Sequence, residues 1–368
     1  MPLPVVDPAR YADQLAEKVE TVCALLAPFA PPAPQIHASP ASHYRHRAEF
    51  RLWRDGDALD YVMFDPEPVK MQQFPVASRR INHLMRELMT VLRSSEVLSR
   101  KLYQVDFHDT FFNGTGTQSA DASLISLIYH RPLDAAWEAA ARELEAALQC
   151  AVVGRSRRQR VVLSRAYVTD HFAVGEHVWS YRQPEGAFSQ PNGAINQQML
   201  NWVYQRCAGL PGDALELYCG NGNFTLPLAA QFRQVLATEI SKAAVPAARH
   251  NLDTNGVDNV CLLRMSSEEF SEALSGVRTF QRLQDIDLDS YRFSTLLVDP
   301  PRAGLDPGTL ALARRFDTLL YISCNPDTLC ANLAELGSRW RIEDFAVFDQ
   351  FPYTPHLECA VRVSRSST

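Results

Sequence analysis

"LELYCGNGNFTL", residues 215–226, decides how the second half of this 368-residue chain folds. An apolar run, Leu215 to Leu217, stops at a turn carrying Gly220 and Gly222, and a helix-forming segment follows. Glycines there let the backbone approach a ligand closely, and a helix start leaves N–H groups unpaired. The next apolar run, "QVLATEI" (234–240), ends in Glu239, 19 residues after Gly220. An acidic residue about 20 residues on, at the end of the second strand, can bond both hydroxyls of a ribose. Each feature also has an ordinary reading, as a turn glycine or a solvated strand-end carboxylate. The pair together favours an adenosine-containing cofactor.

Working outward, strands and helices alternate. The pattern predicts helices at 195–207, 241–254, 309–316 and 326–336, and strands at 234–239, 259–264, 295–298 and 318–323. That alternation argues for a parallel sheet covered by helices. The tail reads as two strands around a proline-rich bend. The first half differs. A helical stripe begins after Asp7-Pro8, and a proline-rich connector spans 28–40. A hairpin over 43–64 turns at Asp55-Gly56, with further strands expected at 102–108, 123–129, 161–169 and 172–180. Helices near 79–93 and 134–149 interrupt them, giving an α+β half. One boundary is expected, dividing the chain into 1–185 and 186–368.

Bulk properties narrow the class. No 18-residue apolar stretch suits a membrane span, and the N-terminus lacks the basic and apolar regions of a signal peptide. The eight cysteines include no C-x-x-C pair, which suits neither a disulfide framework nor a metal or iron–sulfur site. The expectation is a cytoplasmic protein with reduced thiols. A net charge of −6 points to no nucleic acid globally. Two local patches do: "HYRHRAEFRLWR" (43–54) has four arginines against one glutamate, and 154–169 has five arginines and no acid.

Three further residues carry chemistry. "TLLVDPPRAGL" (295–305) puts Asp299 at a strand's carboxyl end, the side on which open α/β sheets bind ligands. The D-P-P loop resembles the substrate loop of methyltransferases that act on nucleobases, although Arg302 stands where amine-methylating members carry an aromatic. "LLYISCNPDTL" (319–329) ends a strand at Cys324. A lone cysteine is usually core, but this one shares a sheet edge with Glu239 and Asp299, which makes it an attacking thiol. A thiolate adding to carbon 6 of uracil makes carbon 5 nucleophilic. A base must later remove the carbon 5 proton. Glu358, at the start of the last strand, is the best-placed carboxylate, or else a solvated strand-edge glutamate.

"FSQPN" (188–192), "ELYCGNGNF", "VDPPRAGL", "SCNP" and "HLECAVRV" stand in the order found in RNA uracil-5-methyltransferases, so residues 188–362 resemble that family. The resemblance implies an α/β fold with a Rossmann-like C-terminal S-adenosylmethionine-dependent methyltransferase domain and an N-terminal α+β RNA-recognition domain. It implies Cys324 as nucleophile and Glu358 as base. It also implies that Gln190, Tyr218, Gly220, Asn223, Glu239 and Asp299 line the pocket of S-adenosyl-L-methionine, with no metal or cluster.

The length and the segments "HYRHRAEFRLW" and "FFNGTGTQS" resemble the bacterial branch that methylates uridine 54 in the tRNA T loop. That implies a monomeric enzyme acting on the T arm of tRNA, with tmRNA as a further candidate. Physically, a strand over 44–53 puts Arg45, Arg47, Glu49, Arg51 and Trp53 on one face, its arginines and Trp suited to phosphates and an unpaired base, or simply solvated. "FHDTFFNGTG" (107–116) is a second RNA contact or a hairpin. Rival readings are methylation of ribosomal RNA, a cytosine-5 methyltransferase, or an RNA-folding protein without catalysis.

Overall fold

The computed structural model describes residues 3–56, 58–111 and 122–365. The chain forms two compact units: residues 3–11, 40–171 and 182–194 make the first, and 12–39, 172–181 and 195–365 the second. The chain therefore crosses between units several times, where the sequence predicts one boundary at 185/186. The N-terminal helix and the proline-rich connector belong with the second unit.

The first unit is built on a seven-stranded sheet. Its strand order is Glu67–Met71, Ala58–Asp65, Arg47–Asp55, Leu102–Asp109, Ser123–Tyr129, Ala151–Ser156 and Gln159–Val162. All neighbours are antiparallel except Ser123–Tyr129 and Ala151–Ser156. A parallel pair needs a crossover, which the helix Ala135–Leu148 supplies. That helix and Arg79–Ser94 bury Trp137, Leu144, Ile81, Leu84 and Leu88 with Phe50, Tyr61 and Phe107 of the sheet. Alternation decides which strand residues enter this core: Ala48 and Phe50 are buried while Glu49 is exposed.

Three strand expectations need correction. The strand expected from 44 begins at Arg47, so Arg45 lies outside it. The strands expected at 161–169 and 172–180 are instead Gln159–Val162, Tyr167–Val174 and His177–Pro184, and Ala151–Ser156 was unforeseen. The turn between Ser156 and Gln159 uses Arg158 at φ 64°, so it carries no glycine or asparagine to announce it.

The second unit holds an eight-stranded sheet. Its strands are β1 (Gln35–His37), β2 (Asp213–Leu217), β3 (Val235–Thr238), β4 (Val260–Leu263), β5 (Phe293–Val298), β6 (Thr318–Ser323), β7 (Trp340–Phe348) and β8 (Glu358–Arg365). They lie in the order β1-β7-β8-β6-β5-β2-β3-β4. β2 to β6 run parallel, and β8 inserts antiparallel between β6 and β7. All five residues of β2 and all six of β6 are buried, as expected for strands covered on both faces. The chain leaves β2 for β3 and β4, then returns to β2's other side as β5. That reversal makes the carboxyl ends of β2 and β5 the crevice where such sheets bind ligands. β1, three residues within the proline-rich connector, adds parallel to β7.

Candidate active site

The loop leaving β2 is tightly wound. Tyr218, Gly220 and Gly222 have φ of 62°, 59° and 85°. At Gly220 a side chain would meet nothing within 4 Å, so the loop leaves open space there. Glu239, just past β3, holds this loop in place. Its Oε2 accepts from the Gly220 N–H at 2.9 Å and its Oε1 from the Ser241 N–H at 2.7 Å. The carboxylate thus stays fixed at the crevice, with lone pairs left over. The other loop residues are also engaged. The Asn223 and Asn196 amides bond each other reciprocally at 2.9 and 3.0 Å. The Tyr218 hydroxyl accepts from Ser267 Oγ at 2.6 Å. The helix after the loop, Thr225–Ala229, has only five residues.

Asp299 follows β5. Desolvation raises its carboxyl to about 7. The D-P-P-R loop that it opens is tied to the Cys324 loop, since Asn325 Nδ2 and Thr328 Oγ1 both donate to the Arg302 carbonyl, at 3.0 and 3.3 Å. Asn325 also caps the helix Pro326–Leu336. A strand end, a capping asparagine and a proline at the first helical position therefore fix the backbone on either side of Cys324.

β6 and β8 bring the sulfur and the late carboxylate together. Their ladder pairs Ser323 with Cys359. The ladder ends there, so the chain neighbours of that last pair, Cys324 and Glu358, lie next to each other at its end. Charge interactions agree. Glu358, 6% exposed, is raised to about 8 by desolvation and then by Asp299, against a lowering pull from Arg302. The Cys324 thiol is pushed up to about 11 by desolvation, Glu358 and Asp299, and Arg302 again opposes. Arg302 is thus the cation that favours the ionised form of both groups. Its Nη2 also lies 3.3 Å from His356 Nδ1.

Cys324 opens onto a cavity of 590 Å³, lined also by Arg302, Asn325, His356, Leu357 and, from the N-terminal helix Tyr11–Leu26, Gln14, Lys18 and Thr21. The sequence reading missed these helix residues: an amphipathic stripe near the N-terminus carries no sign that it will wall a site 300 residues away. It mentioned Arg302 only as a departure, although its place after the prolines was the available signal.

Five of the six residues expected around the cofactor lie in the second unit. Gln190 lies in the first. The arginines of the first unit are less free than alternation suggests. Arg45 Nε donates to the Arg47 carbonyl at 2.7 Å, and Arg47 Nη1 to the Ala187 carbonyl at 2.6 Å. Arg51 and Trp53 remain available. The Arg51 guanidinium lies 4.0 Å over the Tyr103 ring, Tyr103 stacks on His130 at 4.1 Å, and Trp53 is 45% exposed. In the second basic patch, Glu185 takes Arg155 and Arg160 at 2.5 and 3.1 Å, while Arg157 and Arg158 stay exposed. The second half of "FHDTFFNGTG", from Phe112 on, lies outside the described residues. Among the described residues no group of three or more His, Cys, Asp or Glu could hold a metal, and no helix is long and apolar enough to cross a membrane.

A parallel sheet with one antiparallel insertion, a glycine turn after its first central strand and acidic strand ends is the architecture of Rossmann-like methyltransferases. Comparison with known proteins narrows this. The tRNA (uracil-5-)-methyltransferase family model matches residues 10–366. Tyr11 to Arg365 fall within that match, and the chain belongs to this family. It is 53% identical over 365 residues to the tRNA/tmRNA (uracil-C(5))-methyltransferase of Pseudomonas entomophila, covering 98% of this chain and 99% of that protein. It is 54% identical over 369 residues to the protein of that name from Stutzerimonas stutzeri, covering 99% and 100%. The fold matches the Pyrococcus abyssi tRNA (uracil-54, C5)-methyltransferase, solved with S-adenosyl-L-homocysteine, at a TM-score of 0.70 and 18% identity, over 96% of this chain and 83% of that one.

Proposed function

We propose that this protein transfers the methyl group of S-adenosyl-L-methionine to carbon 5 of uridine 54 in the T loop of tRNA, and to the equivalent uridine of tmRNA. It would act as a monomer in the cytoplasm. The observation that carries the reading is that Cys324 and Glu358 flank the last pair of the β6–β8 ladder, with Asp299 and Arg302 acting on Cys324, in a chain of the uracil-5-methyltransferase family.

The open turn at Gly220 and the fixed Glu239 carboxylate suit an adenosine with its ribose hydroxyls, so Tyr218, Gly220, Asn223, Glu239 and Asp299 of the second unit would hold the donor. Bound there, the donor supplies an electrophilic methyl on a sulfonium. In the free protein the Cys324 thiol keeps its proton, because burial first, and then the neighbouring Glu358 and Asp299, disfavour the thiolate. Arg302 works the other way and offsets part of that cost as the sulfur ionises. With its proton given up to solvent in the cavity, the thiolate adds to carbon 6 of an unstacked uracil. The electron pair moves to carbon 5, which takes the methyl. Glu358 in its ionised form then removes the carbon 5 proton, the 5,6 double bond reforms, and the thiolate leaves. In the first unit, Arg51, Trp53 and Tyr103 offer cationic and stacking contacts to the RNA, in keeping with the recognition of unpaired bases by aromatics and arginine planes.

The test gives the purified protein an unmodified tRNA transcript and methyl-labelled donor, then digests the RNA to nucleosides. The label should appear as 5-methyluridine at position 54, and a transcript with cytidine at 54 should take none. Label at another position, or on cytosine, would overturn the proposal.

A further inference from the structure

We infer that Gln14 and Lys18 of the N-terminal helix are positioning residues, which clamp the loop carrying Glu358 in its working place beside Cys324. The inference rests on the reaction proposed above.

The loop is Asp349–Leu357, between β7 and β8, and Glu358 follows it directly. Nine residues with prolines at 352 and 355, and with Tyr353 at φ 62°, hold no regular structure of their own. Some of their polar groups bond within the loop, and four are met by one face of the helix. Gln14 Oε1 accepts from the Tyr353 N–H at 3.0 Å, and Gln14 Nε2 donates to the Thr354 carbonyl at 3.4 Å. One turn on, Lys18 Nζ donates to Asp349 Oδ1 at 2.5 Å and to the Phe351 carbonyl at 3.1 Å. Residues four apart share a helix face, so two side chains grip the loop at four places.

The grip is unusual in where it sits. Lys18 is 8% exposed and Asp349 fully buried, and a buried ion pair is a poor device for stability alone. Burial lowers the Lys18 ammonium below its ordinary value despite Asp349. The same stretch of chain lines the Cys324 cavity through Tyr353, His356 and Leu357, and Gln14 and Lys18 line it too. Proton removal by Glu358 needs the carboxylate held close to carbon 5; the Gln14 and Lys18 bonds tie the middle of its loop to the helix, while the Asp349 N–H to His37 carbonyl bond and the Gln350 side chain on Met199 anchor its start.

Lys18→Met alone should lower Tm, because it leaves Asp349 buried without its partner. The informative variant is Lys18→Met with Asp349→Leu, which removes the charge problem and should recover Tm. Its turnover should remain about 10- to 100-fold down, the size of loss that a misplacement near 1 Å produces. Methylated RNA covalently bound to the protein should accumulate, while S-adenosylmethionine affinity stays at the wild-type value. Gln14→Ala, a half-buried position whose loss strands no charge, should show the same defect several-fold weaker. Recovery of both Tm and turnover in the double variant would overturn the inference. If the double variant fails to fold, Gln14→Ala decides, and wild-type turnover there overturns it equally. Failure of the underlying reading looks different, since the wild-type protein would itself make no 5-methyluridine.

Discussion

Glu358→Gln keeps the shape of the side chain beside Cys324 and removes its basicity. If Glu358 takes the carbon 5 proton, the variant still adds Cys324 to uracil and still accepts the methyl, then stalls. Loss of a positioned general base typically costs about 10²–10⁴ in rate, enough for a methylated, covalently bound tRNA to build up as a slow band on a denaturing gel. The same substitution has a second readout. In the folded protein this carboxyl holds its proton up to about 8, whereas in the unfolded chain it ionises near 4.3. Between those values the folded state binds more protons, so stability falls as pH rises, by up to about 1.4 kcal/mol per pH unit for this group. Glu358→Gln removes that slope and should gain about 3 kcal/mol over wild type near pH 7, less whatever share belongs to Asp299, with which it titrates. Below pH 4 the two proteins should converge. Denaturant titration between pH 4 and 9 measures this, and wild-type turnover should rise as pH passes about 8. Normal turnover by the variant would refute the role of Glu358 as base, and an unchanged stability profile would refute its buried, proton-holding state.

Glu239→Ala should weaken S-adenosylmethionine binding and loosen the Gly220 turn, since each charge-assisted hydrogen bond is worth about 1.5–3 kcal/mol; unchanged affinity by calorimetry with an intact fold would remove Glu239 from the pocket. Arg51→Ala with Trp53→Ala should weaken tRNA binding and flatten its dependence on log salt by about one unit for the lost phosphate contact, with donor affinity unaffected; a surviving slope would move the interface to Arg157 and Arg158. Gly304→Ala should cost about 1–3 kcal/mol, because Gly304 has φ 78° and its new Cβ would lie 2.7 Å from Asn332 Oδ1. That oxygen accepts from the Leu305 N–H and the Tyr321 hydroxyl, and wild-type stability on chemical denaturation would show that the loop relaxes freely.

The second unit was largely legible because its signals are local. An apolar run ending in glycine, an acid or a cysteine marks a buried strand and its carboxyl end, and β2, β3, β5 and β6 all fall within residues of their expected places. What could not be read depends on distant partners. β1 is three residues long and exists because β7 offers it an edge. The helix Tyr11–Leu26 has an ordinary amphipathic pattern, and nothing in it tells which unit it joins. Arg155 and Arg160 look like a free basic patch until Glu185, 25 residues beyond Arg160, is seen to hold them. Arg45 fails the alternation argument because the chain enters its strand two residues later, using the Arg45 backbone to bridge Ala77 and Asn192.

The central claim is that Cys324 attacks carbon 6 and that the carbon 5 hydrogen leaves only after methyl transfer. Transfer RNA tritiated at uracil carbon 5 tests it directly. The wild-type protein with S-adenosylmethionine should release tritium from a single position, at one tritium per methyl transferred. Without the donor it should release none in excess of background, and Cys324→Ala should release none in either case. Methylation by Cys324→Ala, or methylation that leaves the carbon 5 tritium in place, would contradict the mechanism.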